Sequence, residues 1–108
     1  MKAEYLQKGE SLDYINTTTK KIEAGDALIV GNRIGIAGTD IDSGQLGSIH
    51  VSGVYGFTKK DKAELTIGME VYLSEDGITT TAEGNTRAGF VAATSATTNN
   101  NVYVKINA

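Results

Sequence analysis

The sequence predicts an all-β fold, a small antiparallel β-barrel or β-sandwich of short strands joined by tight Gly, Asn and Asp turns. Three observations carry that reading. A glycine-led apolar run, Gly25-Asp26-Ala27-Leu28-Ile29-Val30, recurs as Gly68-Met69-Glu70-Val71-Tyr72-Leu73. Each copy is followed by another glycine-led run, Gly35-Ile36-Ala37 and then Gly89-Phe90-Val91-Ala92-Ala93. Glycine supplies the positive-φ corner and the apolar run supplies the strand. Next, the chain has 13 glycines and no proline, so its turns rest on Gly, Asn and Asp. Last, no segment sustains helical spacing over a dozen residues.

Taken in order, residues 1–8 form an arm, with the apolar pair Tyr5-Leu6 set among Lys2, Glu4, Gln7 and Lys8. Such a terminal stretch orders when it docks. Residues 9–108 form a single β-domain. Ser11–Ile15 is extended, with Leu12 and Tyr14 on one face. Asn16–Lys21 is a polar connection or an edge strand, given its three threonines. Ala27–Val30 and Arg33–Ala37 are strands joined through Gly31-Asn32, a dipeptide suited to a tight hairpin. Thr39–Gly47 is a loop. Leu46–Phe57 alternates, with a change of face at Gly53 that a bulge would explain. The charge-rich stretch Thr58–Leu65 suits a single helical turn. Glu70–Ser74 and Ile78–Thr81 pair through Glu75-Asp76-Gly77. Arg87–Ala93 is a strand and Thr94–Asn101 a polar loop. The closing strand, Val102-Tyr103-Val104-Lys105-Ile106, has a period of two that sends Val102, Val104 and Ile106 inward.

Composition removes whole classes of function. At 108 residues the chain is one domain by length. It has no cysteine, hence no disulfide, thiolate nucleophile or zinc knuckle. Ten basic against 13 acidic residues give a net charge of −3, which disfavours nucleic acid as the main partner. No apolar run is long enough to span a bilayer as a helix, and Met1–Glu10 lacks the apolar centre of a signal peptide, so synthesis inside the cell is expected.

The search for chemistry leaves the catalytic, cofactor and metal sites empty. His50 is the lone histidine and lies between Ile49 and Val51 on an alternating strand, which sends it to the polar face. Asp40-Ile41-Asp42-Ser43-Gly44 begins like a calcium loop. Its glycine comes one place too early, however, and Val51 stands where the bidentate Glu belongs, so a plain Asx-turn loop is the better account. No Gly-Lys-Ser or Gly-Lys-Thr follows the glycines, so the phosphate-binding lysine is missing. Glu75-Asp76 falls at a hairpin tip. Lys59-Lys60-Asp61-Lys62 reads as a solvated loop, with contact to an acidic protein surface as the lesser alternative.

With the strands placed, the chain resembles the tailed-phage and prophage capsid cement, or head decoration, proteins over nearly its whole length. The resemblance rests on Gly9-Glu10 before Leu12-Asp13-Tyr14, on Ile22-Glu23-Ala24-Gly25-Asp26, and on Gly35-Ile36-Ala37. It continues through Asp40-Ile41 with Gly44 and Gly47, then Gly53-Val54-Tyr55 with Lys59. Gly68-Met69-Glu70-Val71-Tyr72, Thr79-Thr80-Thr81, Gly84-Asn85, Gly89-Phe90 and Val104-Lys105-Ile106-Asn107 complete it. Thr58 departs from a proline common in the family, and Met69-Glu70 from its usual small residue plus Asp. Some relatives carry a recombinase label, which the missing phosphate loop contradicts here.

The resemblance implies a non-enzymatic protein without cofactors, bound on the outer face of the assembled phage head. Its partner would be the major capsid protein, met at junctions between subunits by a homotrimer, with neither nucleic acid nor membrane involved. A head-to-tail connector or tail component, and a small enzyme or recombination factor, are the alternatives. Tyr5, Leu6, Gln7 and Lys8 are the expected capsid contacts. Burying Tyr5 and Leu6 contributes roughly 3–6 kcal/mol, whereas ordering eight residues costs about 1–2 kcal/mol each for backbone alone. The arm must therefore also gain backbone hydrogen bonds or start out partly restrained. Alternatively it folds back on its own domain as an edge strand.

Overall fold

The computed structural model describes residues 1–5 and 7–108; the expectation placed on Leu6 lies outside the described residues. The strands are β1 (Ser11–Ile15), β2 (Ala27–Val30), β3 (Arg33–Ala37), β4 (Leu46–His50), β5 (Val54–Thr58), β6 (Glu70–Ser74), β7 (Gly77–Thr79), β8 (Thr86–Ala93) and β9 (Asn101–Ile106). They form two antiparallel sheets, ordered β1-β4-β3-β2 and β5-β9-β8-β6-β7. The fold is all-β, and a two-sheet sandwich describes it. A parallel bridge between Lys59 and Ile78 ties the two outer strands of the second sheet to each other.

The two glycine-led runs mark a structural duplication. Both Gly25 and Gly68 have φ +91. Gly25 donates its N–H to the Ala37 carbonyl, and Gly68 does the same to Val91. Ile22 pairs with Ile41 as Leu65 pairs with Ser95. Asn16 N–H bonds the Gln45 carbonyl, and Lys59 N–H bonds that of Asn100. On this correspondence β1, β2, β3 and β4 match β5, β6, β8 and β9, and both sheets run in the same spatial order. Strand β7 alone has no counterpart, and it pairs with the outer side of β6.

Two apolar clusters result. Ile22, Ala37, Ile41 and Ile49 are buried in the first repeat, with Leu28 and Val30 packed against them. The second cluster combines Val71, Ile78, Val91, Val102, Val104 and Ile106 with Ile34 and Ile36 from β3. Strand β3 lies between the two clusters, so Ile34, Gly35, Ile36 and Ala37 are all buried and its alternation disappears. Gly35 makes the first cluster possible, because a Cβ there would meet Ile49 Cδ1 at 3.0 Å.

Two local expectations are corrected. Gly53 is not a bulge within one strand; with φ +114 it forms the corner at which the chain leaves β4 in the first sheet for β5 in the second. Thr58–Leu65 contains no helical turn, because Lys59 and Leu65 occupy the buried positions that Asn16 and Ile22 take in the first repeat.

Asn107 joins the repeats. Its φ is +58, a conformation that Asn tolerates better than most residues. Its Oδ1 accepts the Ile34 N–H at 3.1 Å, and its Nδ2 donates to the Ile34 and Val51 carbonyls, both at 2.8 Å.

Candidate interaction surface

The arm residues lie open on the surface. Met1–Tyr5, Gln7 and Lys8 are exposed and belong to no strand, and Tyr5 keeps 83% of its surface. Gly9, with φ +75, turns the chain toward β1. The expected contacts Tyr5, Gln7 and Lys8 thus sit together ahead of one edge of the first sheet, and Leu6 is not among the described residues.

Further apolar surface lies on outward strand positions, including Tyr103, which the period of two along the closing strand sends outward. Ile15 and Leu46 are register partners across β1 and β4 and are 55% and 63% exposed. Val54 and Tyr103 are likewise exposed on the adjacent strands β5 and β9, with Gly56 paired directly opposite Tyr103. The signal was present in the alternation: once Leu12 and Tyr14 share one face, Ile15 must take the other.

The polar groups mostly satisfy one another. His50 Nδ1 lies 2.9 Å from Ser11 Oγ, and the ring stacks on Tyr55 with centroids 6.3 Å apart. A methyl placed on Gly38 would approach His50 Nε2 to 2.9 Å, so the imidazole is packed down on the backbone rather than fully solvated. Asp40 accepts the Ala24 N–H and pairs with Lys21 at 3.3 Å. The Ala24 N–H first, and the Lys21 ammonium second, hold its carboxyl below the usual carboxylate range, while the bond to Asp40 raises Lys21.

Two polar side chains from stretches expected to be solvated are buried. Asn16 is completely buried; its Nδ2 donates to the Lys20 and Ile41 carbonyls and its Oδ1 accepts from Thr18 N–H and Oγ1. Lys59, expected in a solvated loop, is buried instead, and its Nζ donates to Ser95 Oγ at 3.2 Å and to the Ala96 carbonyl at 3.0 Å. These two positions correspond in the duplication, and each side chain ties down a loop of its own repeat. Among the described residues no buried side-chain polar atom lacks a partner, and no group of three or more His, Asp or Glu could hold a metal ion.

What the molecule offers is therefore a β-scaffold with exposed apolar positions, preceded by residues 1–5 and 7–8, which are exposed and join no strand. No curated protein and no solved structure matches the chain. A family model described as "Phage cement protein" matches residues 6–106, which takes in both repeats and the end of the arm. Over that extent, the chain belongs to the phage cement protein family.

Proposed function

We propose that this protein binds the outer surface of the assembled phage head at junctions between major capsid subunits, as a trimer, and stabilises the shell. The observation that carries this reading is the family match over residues 6–106. The exposed pair Ile15–Leu46, with exposed Val54 and Tyr103 on the adjacent strands β5 and β9, supports it, since a surface that docks on another protein needs apolar contact area. Stabilisation follows from mass action: a ligand that binds the assembled shell and not its free subunits shifts the balance toward assembly. Copies linked into one unit add avidity, so each single contact can be modest.

The arm, residues 1–8, is the proposed capsid-contacting element, with Tyr5, Leu6, Gln7 and Lys8 touching the shell. Residues 9–108 are the folded unit that carries it. The protein acts without a cofactor and without catalysis.

Co-sedimentation with expanded empty heads and with unassembled capsid subunits tests the proposal. Binding to heads alone is expected, and equal binding to both sinks it. Labelling the protein on virions should decorate the whole head; a signal at one vertex means a connector instead. Deleting residues 2–8 should leave the melting temperature nearly unchanged and lower head affinity at least tenfold.

A further inference from the structure

We propose that the free edge of β2 receives residues 1–8 of a second copy of this chain as an added strand. The duplication shows what is missing there. In the second repeat β7 pairs with the outer side of β6, Leu73 opposite Ile78 and Tyr72 opposite Thr79. Strand β2 is the counterpart of β6 and, among the described residues, has no neighbouring strand on that side. The effect on burial is direct: Val71 is fully buried, whereas its counterpart Leu28 is only partly so.

The edge is also unprotected. Natural sheets blunt their edges with charges, prolines or bulges. Ala27, Leu28, Ile29 and Val30 carry no charge and no proline. The two-residue turn at Gly31-Asn32 pairs Val30 with Arg33, and Ala37 N–H bonds the Asp26 carbonyl. Hydrogen-bonded pairs alternate along an antiparallel ladder. Asp26, Leu28 and Val30 therefore direct their backbone groups at β3, and Ala27 and Ile29 direct theirs outward.

Beside this edge runs a groove of about 610 Å³, lined by Ala27 and Ile29 on one side and by Leu73, Glu75, Asp76 and Gly77 on the other. Ile29 lies opposite buried Ile34 yet keeps 49% of its surface. The groove has an apolar wall and two carboxylates, Glu75 and Asp76, which form no ion pair among the described residues.

The arm fits that chemistry. In an extended strand Lys2, Glu4, Leu6 and Lys8 share one face, which is apolar at Leu6 and carries two positive charges against one negative, opposite in net sign to Glu75 and Asp76. The arm's described residues, 1–5 and 7–8, join no strand, and side-chain burial alone falls short of the ordering requirement, so a strand edge supplies what is lacking. The chain's own arm leaves from β1, at the opposite edge of the same sheet, and would have to cross a sheet face to reach β2. A neighbour's arm has no such obstacle. Contacts of this head-to-tail kind close into rings when the rotation permits. The inference goes beyond shell binding and sharpens it: in an added strand Leu6 and Lys8 face one way and Tyr5 and Gln7 the other, so one pair meets the groove and the other stays open to the shell.

The absence of cysteine allows a single label to be placed cleanly. An unlabelled chain carrying Ala3→Cys with a nitroxide is mixed with ¹⁵N-labelled chain without the nitroxide, at several hundred micromolar and with no heads present. Concentration-dependent broadening is expected at the amides of Ala27, Ile29 and Ser74–Gly77. Ile29→Lys, and separately Glu75→Lys with Asp76→Lys, should weaken that effect at least fivefold while the remaining spectrum stays folded. Broadening confined to other amides, none at all, or no response to either variant overturns the proposal. Because no shell takes part, this outcome is independent of whether the protein decorates heads.

Discussion

Replacing Asn107 with Ala removes the side chain that joins the two repeats, and its effect can be worked from three hydrogen bonds. Asn107 accepts from Ile34 N–H and donates to the carbonyls of Ile34 and Val51. At about 0.5–1.5 kcal/mol net for each bond, the loss is roughly 1.5–4.5 kcal/mol. Ile34 is fully buried, so its N–H has no ready replacement partner. Alanine at φ +58 adds a further strain of about 1 kcal/mol. The expected total is about 3–5 kcal/mol, a large share of the roughly 5–15 kcal/mol that holds a domain together. With a urea slope of about 1–3 kcal/mol/M, the midpoint should fall by at least about 1 M. Asn107→Gly removes the same bonds without the backbone strain, so it should recover only about 1 kcal/mol of the loss. Asn107→Asp keeps the acceptor for Ile34 N–H but turns a carboxylate toward two carbonyl oxygens. Its folded-state pKa is then raised, so that variant should gain stability as the pH is lowered. Urea melts of the three variants decide the matter. An alanine variant within about 1 kcal/mol of the parent refutes the clamp, and full recovery with Gly assigns the effect to the backbone instead.

Asn16→Ala should destabilise by about 2–4 kcal/mol, because it breaks four hydrogen bonds at a fully buried site; Lys59→Met, which retains the apolar stem, should cost about 1–2 kcal/mol, and urea melts will rank the two. Gly89→Ala should be far more damaging than Gly84→Ala: both have positive φ, but a Cβ on Gly89 runs into the Lys105 carbonyl, whereas Gly84 has open space around it. About 1–2 kcal/mol is expected at Gly84 and loss of soluble folded protein at Gly89. The lowered Asp40 carboxyl contributes stability that is present above the ordinary carboxylate pKa and is lost as the pH falls through its own lower value. Asp40→Asn should therefore flatten the acid limb of stability against pH, by a small amount that salt reduces further because the pair is exposed.

Much of the fold was legible because short-range chemistry decides it. Period two along Val102–Ile106 placed Val102, Val104 and Ile106 inside, and all three are buried. Gly31-Asn32 specified the hairpin that joins β2 to β3. The repeated glycine-led runs were visible as well: Gly25 and Gly68 are corners with the same φ of +91, whereas Gly35 and Gly89 lie inside β3 and β8 and do not form corners. The exposed strand positions were readable in principle, since alternation assigns a face to each residue without saying what covers it.

Partner identity was what local sequence did not encode. Gly53 reads as an interruption within one strand, and only the pairing of β4 with β1 and of β5 with β9 makes it a crossing between sheets. Lys59 sits in a charged run that local composition marks as solvent-facing. Ser95 and Ala96, 36 and 37 residues away, accept its ammonium group and permit burial. β3 lost its alternation because a second sheet covers the face that a single sheet would leave in water. The sequence alone determined strands, turns and inward faces, each of which depends on neighbours a few residues apart. Tertiary structure decided which strands meet, which polar groups are buried and which edge stays open, because those outcomes depend on groups dozens of residues away competing with water for the same contacts.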